Sequence, residues 1–233
     1  MIKVEDIIVG YFRDVNILQG VSLQAIEGQI TSIIGANGVG KSTLLKTICG
    51  YLHPNEGKIF LKKEDITRLD SYEICRKGIS YISQRQNVFG NLTVEENLQL
   101  GAWTIRKDKT LVRKRLQENV NRFPVLAEKM KNRANTLSGG QQRMVEIARS
   151  LMIDPEVLIL DEPTAGLAPR MAKVIYENIL TLKHEEGLTI LLVDQNIRQA
   201  VEYSDYIYVL ELGKNKSDGS KDKFKDLKGI LWS

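Results

Sequence analysis

The chain has 233 residues, 42% hydrophobic and 27% charged, which suits one large domain, or one with a modest insert, and excludes a disordered chain. Its 33 Lys and Arg against 29 Asp and Glu leave a formal charge of +4, far from the dense basic stripe of a nucleic-acid binder. Apolar runs such as residues 190–193 cover about a fifth of the ~20 residues that a membrane-crossing helix requires. Glu5 and Asp6 fall where a secretory leader needs an apolar stretch, so the chain is expected in a reducing cytosol. There, Cys49 and Cys75 read as small buried residues, and the isolated His53 and His184 as solvated loop or helix-end residues.

Alternating or β-rich runs recur at 2–9, 21–25, 30–34, 58–61, 78–82, 157–160, 189–193 and 206–210. The early runs predict an antiparallel ribbon. The later ones, continuous apolar segments separated by helical stretches, predict strands buried on both faces of a parallel sheet. Helices are expected after Gly40 and over 70–76, 93–101, 110–122, 140–152, 169–183 and 195–203. In the first, Leu44, Leu45, Ile48 and Cys49 share one face and Gly50 ends it. In the 140–152 helix, Met144, Ile147, Ala148, Leu151 and Met152 share the apolar face, with Arg143, Glu146 and Arg149 expected on the other side. Between Ile82 and Ser138 the chain is almost wholly helical and polar, a helical insert within an α/β core; the core is expected over 1–83 and 153–233 and the insert over 84–152. Basic clusters at Arg106–Lys107 and Arg113–Lys114–Arg115 lie within it, as a solvated face or an interaction surface. The tail from 213 to 228 reads as loop plus a short terminal helix.

Gly35-Ala36-Asn37-Gly38-Val39-Gly40-Lys41-Ser42 fits G-x-x-x-x-G-K-[ST], between a predicted strand and an amphipathic helix. Glycines let successive backbone N–H groups curl around phosphate oxygens, and the helix N-terminus adds partial positive charge. Phosphate contacts are expected from Gly35, Asn37, Gly38, Gly40, Lys41, Ser42 and Thr43. Lys41 suits the β- and γ-phosphates and the Ser42 hydroxyl suits Mg²⁺. These residues imply a bound nucleoside triphosphate. A second acidic feature, Asp161-Glu162, closes the strand at 157–160. Side chains alternate along a strand, so the two carboxylates cannot share one role while strand geometry lasts. Asp161 suits an outer hold on Mg²⁺; Glu162, one step further, suits the attacking water.

Leu137-Ser138-Gly139-Gly140-Gln141 matches the LSGGQ signature, and the chain resembles the ATP-binding cassette ATPases of membrane transporters. P-loop, signature and Asp161-Glu162-Pro163-Thr164 occur in that family's order, over essentially the whole chain. The resemblance implies a P-loop ATPase core of mixed sheet and helices with an antiparallel β subdomain, a helical subdomain insert, and ATP with Mg²⁺ as cofactors. It implies two chains closing head to tail around two nucleotides, so that Ser138, Gly139, Gly140 and Gln141 serve the partner's ATP. Tyr11 matches the aromatic that stacks on adenine, or else it covers core. Gln84 matches the Q-loop glutamine that touches Mg²⁺ or water. Lys41, Gln84, Glu162 and Gln195 are the catalytic candidates, and Ser42, Gln84 and Asp161 the metal candidates.

Two departures matter. Gln195 stands where most members carry a switch histidine, giving a hydrogen-bond donor without titratable charge. Ala168 stands where many carry a D-loop aspartate. Both look like the group serving branched-chain amino acid uptake, although Asp194 replaces its glutamate. The resemblance implies ATP hydrolysis coupled to transport at the cytoplasmic face of the membrane. The expected partners are integral membrane permease subunits and a second cassette chain, with no nucleic acid. Another cargo (urea, an amide or a lipid) or a non-transport assembly ATPase remains the alternative.

Overall fold

The structure, a computed structural model, describes residues 1–12, 15–85, 87–194 and 196–224. The chain opens as two long antiparallel strands, β1 (Ile2–Phe12) and β2 (Val15–Ala25). With β4 (Glu56–Leu61) and the short β5 (Glu64–Asp65) they form a sheet in the order β2-β1-β4-β5. The main sheet holds β3 (Ile30–Ile34), β6 (Ile79–Ile82), β7 (Val157–Asp161), β8 (Thr189–Val193), β9 (Tyr206–Glu211) and β10 (Lys214–Ser220), in the order β10-β9-β3-β8-β7-β6. All its neighbours run parallel except β10, which pairs antiparallel with β9.

Every residue of β3, β7 and β8 is buried, as continuous apolar runs covered on both faces require. Their side chains alternate between two cores. Val157, Ile159, Leu191 and Val193 pack toward the antiparallel sheet and α1 (Lys41–Ile48). Leu158, Leu160, Ile190 and Leu192 pack toward α6 (Gly139–Ser150) and α7 (Pro169–Glu186). The same alternation carries Asp161, two residues beyond Ile159, to the α1 side. That places the carboxylate beside the helix that starts with the lysine and serine of the phosphate loop.

Before β6 lies α2 (Ser71–Arg76), and between β6 and β7 the chain forms α3 (Val94–Gly101), α4 (Lys109–Arg122), α5 (Pro124–Ala127) and α6. Helix α3 starts at a capping box between Thr93 and Glu96, and α6 at one between Ser138 and Gln141. Helix α7 stops at Gly187, in a left-handed conformation with φ 65°. Among the described residues the last α-helix, α8 (Ile197–Tyr203), buries Ala200 and Val201 in a small cluster with Phe224.

Three expectations need correction. The tail is not a loop: Lys214–Ser220 forms β10, followed by a 3₁₀ turn at Lys221–Phe224. It carries no apolar alternation because it is an edge strand with polar side chains, held by its ladder with β9. Strand β2 begins at Val15, where its first residues are largely exposed and only pairing with β1 marks them as strand. The side of α6 opposite its apolar face, where Arg143 and Glu146 were expected, is itself covered at these two residues; they are 1% and 2% exposed and form an ion pair of 2.7 Å. Arg143 donates to the carbonyls of Ser83 and Gln84 at 3.1 and 3.0 Å, and Glu146 accepts from the Asn87 amide. The pair is buried because the chain following β6 lies across it and offers the polar partners a buried charge needs. Cys49 is buried and Cys75 half-buried, both as free thiols. His53 lies 3.4 Å from Asp70 and His184 lies in the last turn of α7.

Candidate nucleotide site

The loop between β3 and α1 has its shape dictated by close packing. Gly35 abuts the Leu210 carbonyl on β9, which a Cβ would overlap. Gly40 caps α1 at φ 107°, where a Cβ would come within 2.6 Å of Leu18 Cδ2. The loop therefore turns tightly and delivers Lys41 and Ser42 to the helix N-terminus. Lys41 Nζ donates back to the carbonyls of Gly35 and Ala36 at 2.8 and 2.9 Å. Burial holds its ammonium below the ordinary pKa, against the opposing pull of Glu162 and Asp161.

Asp161 joins this loop from β7. Ser42 Oγ donates to its Oδ1 at 3.2 Å and the Tyr81 hydroxyl to its Oδ2 at 3.1 Å. Burial raises the Asp161 carboxyl above its usual value, while those two donors and the charges of Lys46 and Lys41 draw it back down. Glu162, 6% exposed, leaves the strand at φ 49°, a left-handed conformation that costs on the order of 1–2 kcal/mol for a residue with a side chain. Its amide donates to the Val193 carbonyl at 2.7 Å, and its carboxylate accepts from Gln84 Nε2.

A cleft of about 370 Å³ collects Tyr11, Asn37, Gly38, Lys41, Ser42, Thr43, Gln84 and Glu162. Tyr11 is 51% exposed at its rim, its hydroxyl 3.4 Å from Thr43 Oγ1. Thus the phosphate loop, the Q-loop glutamine, the edge aromatic and the second acid come together, with Asp161 beneath them. Ser138, Gly139, Gly140 and Gln141 do not line this cleft. Ser138 and Gly139 are exposed at the start of α6, while Gly140 is buried against Met171 of α7, leaving no room for a Cβ. Gln195 lies outside the described residues. Next to it, Asp194 accepts from Thr164 Oγ1 at 2.7 Å and from the Asn196 amide at 2.8 Å, tying the chain after β8 to the chain after β7. Sequence reasoning passed over Thr164 and Tyr81, since neither bond has a local signal.

A second concavity, about 470 Å³, runs between the sheet core and the helices of residues 84–152. Tyr51 and Tyr81 line one wall and Phe89, Trp103 and Arg149 the other. Tyr51, Phe89 and Trp103 are 60%, 53% and 61% exposed.

A glycine-rich turn from a buried parallel strand into a helix, a lysine and a serine at that helix's start, and an acid at the end of a nearby strand define a P-loop nucleoside-triphosphate-binding protein. The family model for ABC transporters matches residues 18–165. The probable branched-chain amino acid transport ATP-binding protein LivF of Archaeoglobus fulgidus is 42% identical over 212 residues, covering 91% of this chain and 89% of that protein. The high-affinity branched-chain amino acid transport ATP-binding protein BraG of Pseudomonas aeruginosa is 43% identical, covering 88% and 86%. The lipopolysaccharide export ATP-binding protein LptB of Haemophilus influenzae is 33% identical, covering 91% and 88%. Among solved structures, an ATP-binding cassette of an ABC transporter in its ADP conformation superposes with a TM-score of 0.86 at 31% identity, covering 99% of this chain and 94% of that one. A dimeric cassette in a post-hydrolysis state with ADP and Pi gives 0.82 at 28% identity, covering 95% and 99%. The chain belongs to the ABC transporter family, whose activity is ATP hydrolysis coupled to transport. Among the described residues, no helix is long and apolar enough to cross a membrane.

Proposed function

We propose that this chain powers the import of branched-chain amino acids by hydrolysing Mg·ATP between its own phosphate loop and the signature turn of a second cassette chain. The observation that carries the shared site is the placement of Ser138 and Gly139, exposed at the start of α6 and outside the cleft that Lys41 lines. A helix N-terminus with exposed small residues suits an anion, and this one does not line the cleft of its own chain's phosphate loop. The cargo follows from the two branched-chain relatives at 42% and 43% identity, above the 33% of the lipopolysaccharide export protein.

In this reading Tyr11 stacks on adenine. The backbone of residues 35–40 wraps the phosphates, with Asn37 and Thr43 adding contacts and Lys41 offsetting charge on the β- and γ-phosphates. The Ser42 hydroxyl and the Gln84 side-chain amide line the cleft, and the Asp161 carboxylate lies against Ser42; all three offer hard oxygen ligands that fit a small divalent cation. Mg²⁺ there supplies charge neutralisation for the transferring phosphoryl group. Glu162 orients the attacking water and receives its proton, Gln84 holds the Glu162 carboxylate in place, and Gln195 donates a hydrogen bond to the γ-phosphate. Residues 1–83 and 153–233 act as the nucleotide-binding core and 84–152 as the helical part, with the groove between them receiving a permease segment at the cytoplasmic face. The chain is thus peripheral to the membrane.

Affinity capture from detergent-solubilised membranes, with the partners identified by mass spectrometry, tests this. Recovery of an integral membrane subunit, together with labelled leucine uptake that stops when Lys41→Ala replaces the native chain, is expected. Uptake that continues unchanged overturns the cargo assignment.

A further inference from the structure

Tyr81 bridges the two concavities. Its ring lines the groove beside Tyr51, with centroids 5.9 Å apart and planes tilted by 53°. Its hydroxyl reaches the other way, 3.1 Å from Asp161 Oδ2. The register explains the reach: Tyr81 on β6 pairs with Ile159 on β7, two residues before Asp161 and on the same face of the sheet. Asp161 is 2% exposed, so water does not hold its carboxylate. The terminal torsion of an aspartate is broad, and two hydroxyl donors, one on each oxygen, fix it here.

We propose that Tyr81 is a positioning residue of the nucleotide site: its hydroxyl holds the Asp161 carboxylate in the rotamer that turns the other oxygen toward Ser42 and the divalent cation. This rests on the reading of Ser42, Gln84 and Asp161 as the cation side of the site. Because the same ring forms a wall of the groove, whatever lies against Tyr81 in the groove is one hydrogen bond from that carboxylate.

Tyr81→Phe removes one oxygen and keeps the ring in the groove. The experiment measures Mn²⁺ binding by electron paramagnetic resonance in the presence of ATP, and the affinity of a fluorescent ATP analogue with and without Mg²⁺. In the variant, the Mn²⁺ concentration for half-occupancy rises about three- to tenfold, part of what one hydrogen bond to a charged group is worth, because Tyr81 acts on the cation only through the Asp161 carboxylate. Metal-free affinity for the analogue stays unchanged, a split that general loss of structure does not produce. In an Asp161→Ala background the same substitution adds nothing further, since the acceptor of its hydrogen bond is gone. Mn²⁺ binding by Tyr81→Phe equal to that of the native chain overturns the proposal. If the native chain itself binds no Mn²⁺ with ATP, the cation reading falls and this proposal with it.

Discussion

Gln84 and Glu162, 78 residues apart in the chain, meet side chain to side chain in the cleft, the glutamine amide donating to the carboxylate. Glu162 reaches that position through a left-handed backbone conformation and the amide bond to Val193, so its carboxylate is aimed by the fold. A residue held in this way in a nucleotide cleft suits a general base. Glu162→Gln keeps the shape and removes the carboxylate proposed as the base. Hydrolysis should fall about 10²- to 10⁴-fold, with affinity for ATP retained. A phosphate-release assay beside equilibrium nucleotide binding checks this, and an undiminished rate would remove Glu162 from the water-activating role.

Ser138 gives a second prediction, because it lies outside its own chain's cleft. The Glu162→Gln chain should become a dimer when ATP is added, as judged by light scattering. Adding Ser138→Arg to that variant should return it to a monomer while leaving ATP binding by the monomer intact. Weakened binding in the isolated chain would mean that the signature turn serves the nucleotide of the same chain.

Much of the fold lay open in local sequence. The apolar runs of β3, β7 and β8 and the phosphate loop between a strand and a helix each declare themselves within a dozen residues. Three features did not, two of them because their partners lie far along the chain. The Tyr81 hydroxyl meets Asp161 across 80 residues and Arg143 meets the Ser83 carbonyl across 60, so helical periodicity placed Arg143 off the apolar face of its helix without naming what it meets there. Polar β10 is a strand only because β9 offers it a ladder. Of the candidate site, the phosphate loop was legible in its own residues; that Tyr11, Gln84 and Glu162 share its cleft was expected only through the family resemblance, because it depends on how β7 and β8 end beside α1.

The groove yields a third prediction. Trp103 is 61% exposed on its helical wall, and Phe89 lies under Arg149, whose guanidinium carbon is 5.5 Å from the ring centroid. Large exposed aromatics around one concavity mark a docking surface more often than a solvated one. Trp103→Ala should change the stability of the isolated chain by less than about 0.5 kcal/mol, and leave nucleotide binding as it was. Recovery of the membrane subunit in affinity capture should drop. Equal recovery from native and variant chains would place the permease contact elsewhere.

The fourth prediction concerns the edge strand. The Tyr206 hydroxyl donates to the Asp218 carboxylate across the β9–β10 pair, and this bond, ahead of partial burial, pushes the phenol pKa up to about 12 from its usual 10.0. A group whose pKa is higher in the folded chain binds its proton more tightly there. Its contribution to stability is therefore complete below pH 10 and is lost as pH rises through about 12. Asp218 is exposed, so solvent screening limits the effect to a few tenths of a kcal/mol, at most about 1 kcal/mol. Tyr206→Phe should accordingly be slightly less stable than the native chain in urea at pH 8, with the difference shrinking once the pH exceeds 10. A difference that grows with alkalinity would mean that Asp218 does not accept this bond in solution, and that β10 is held by its backbone ladder alone.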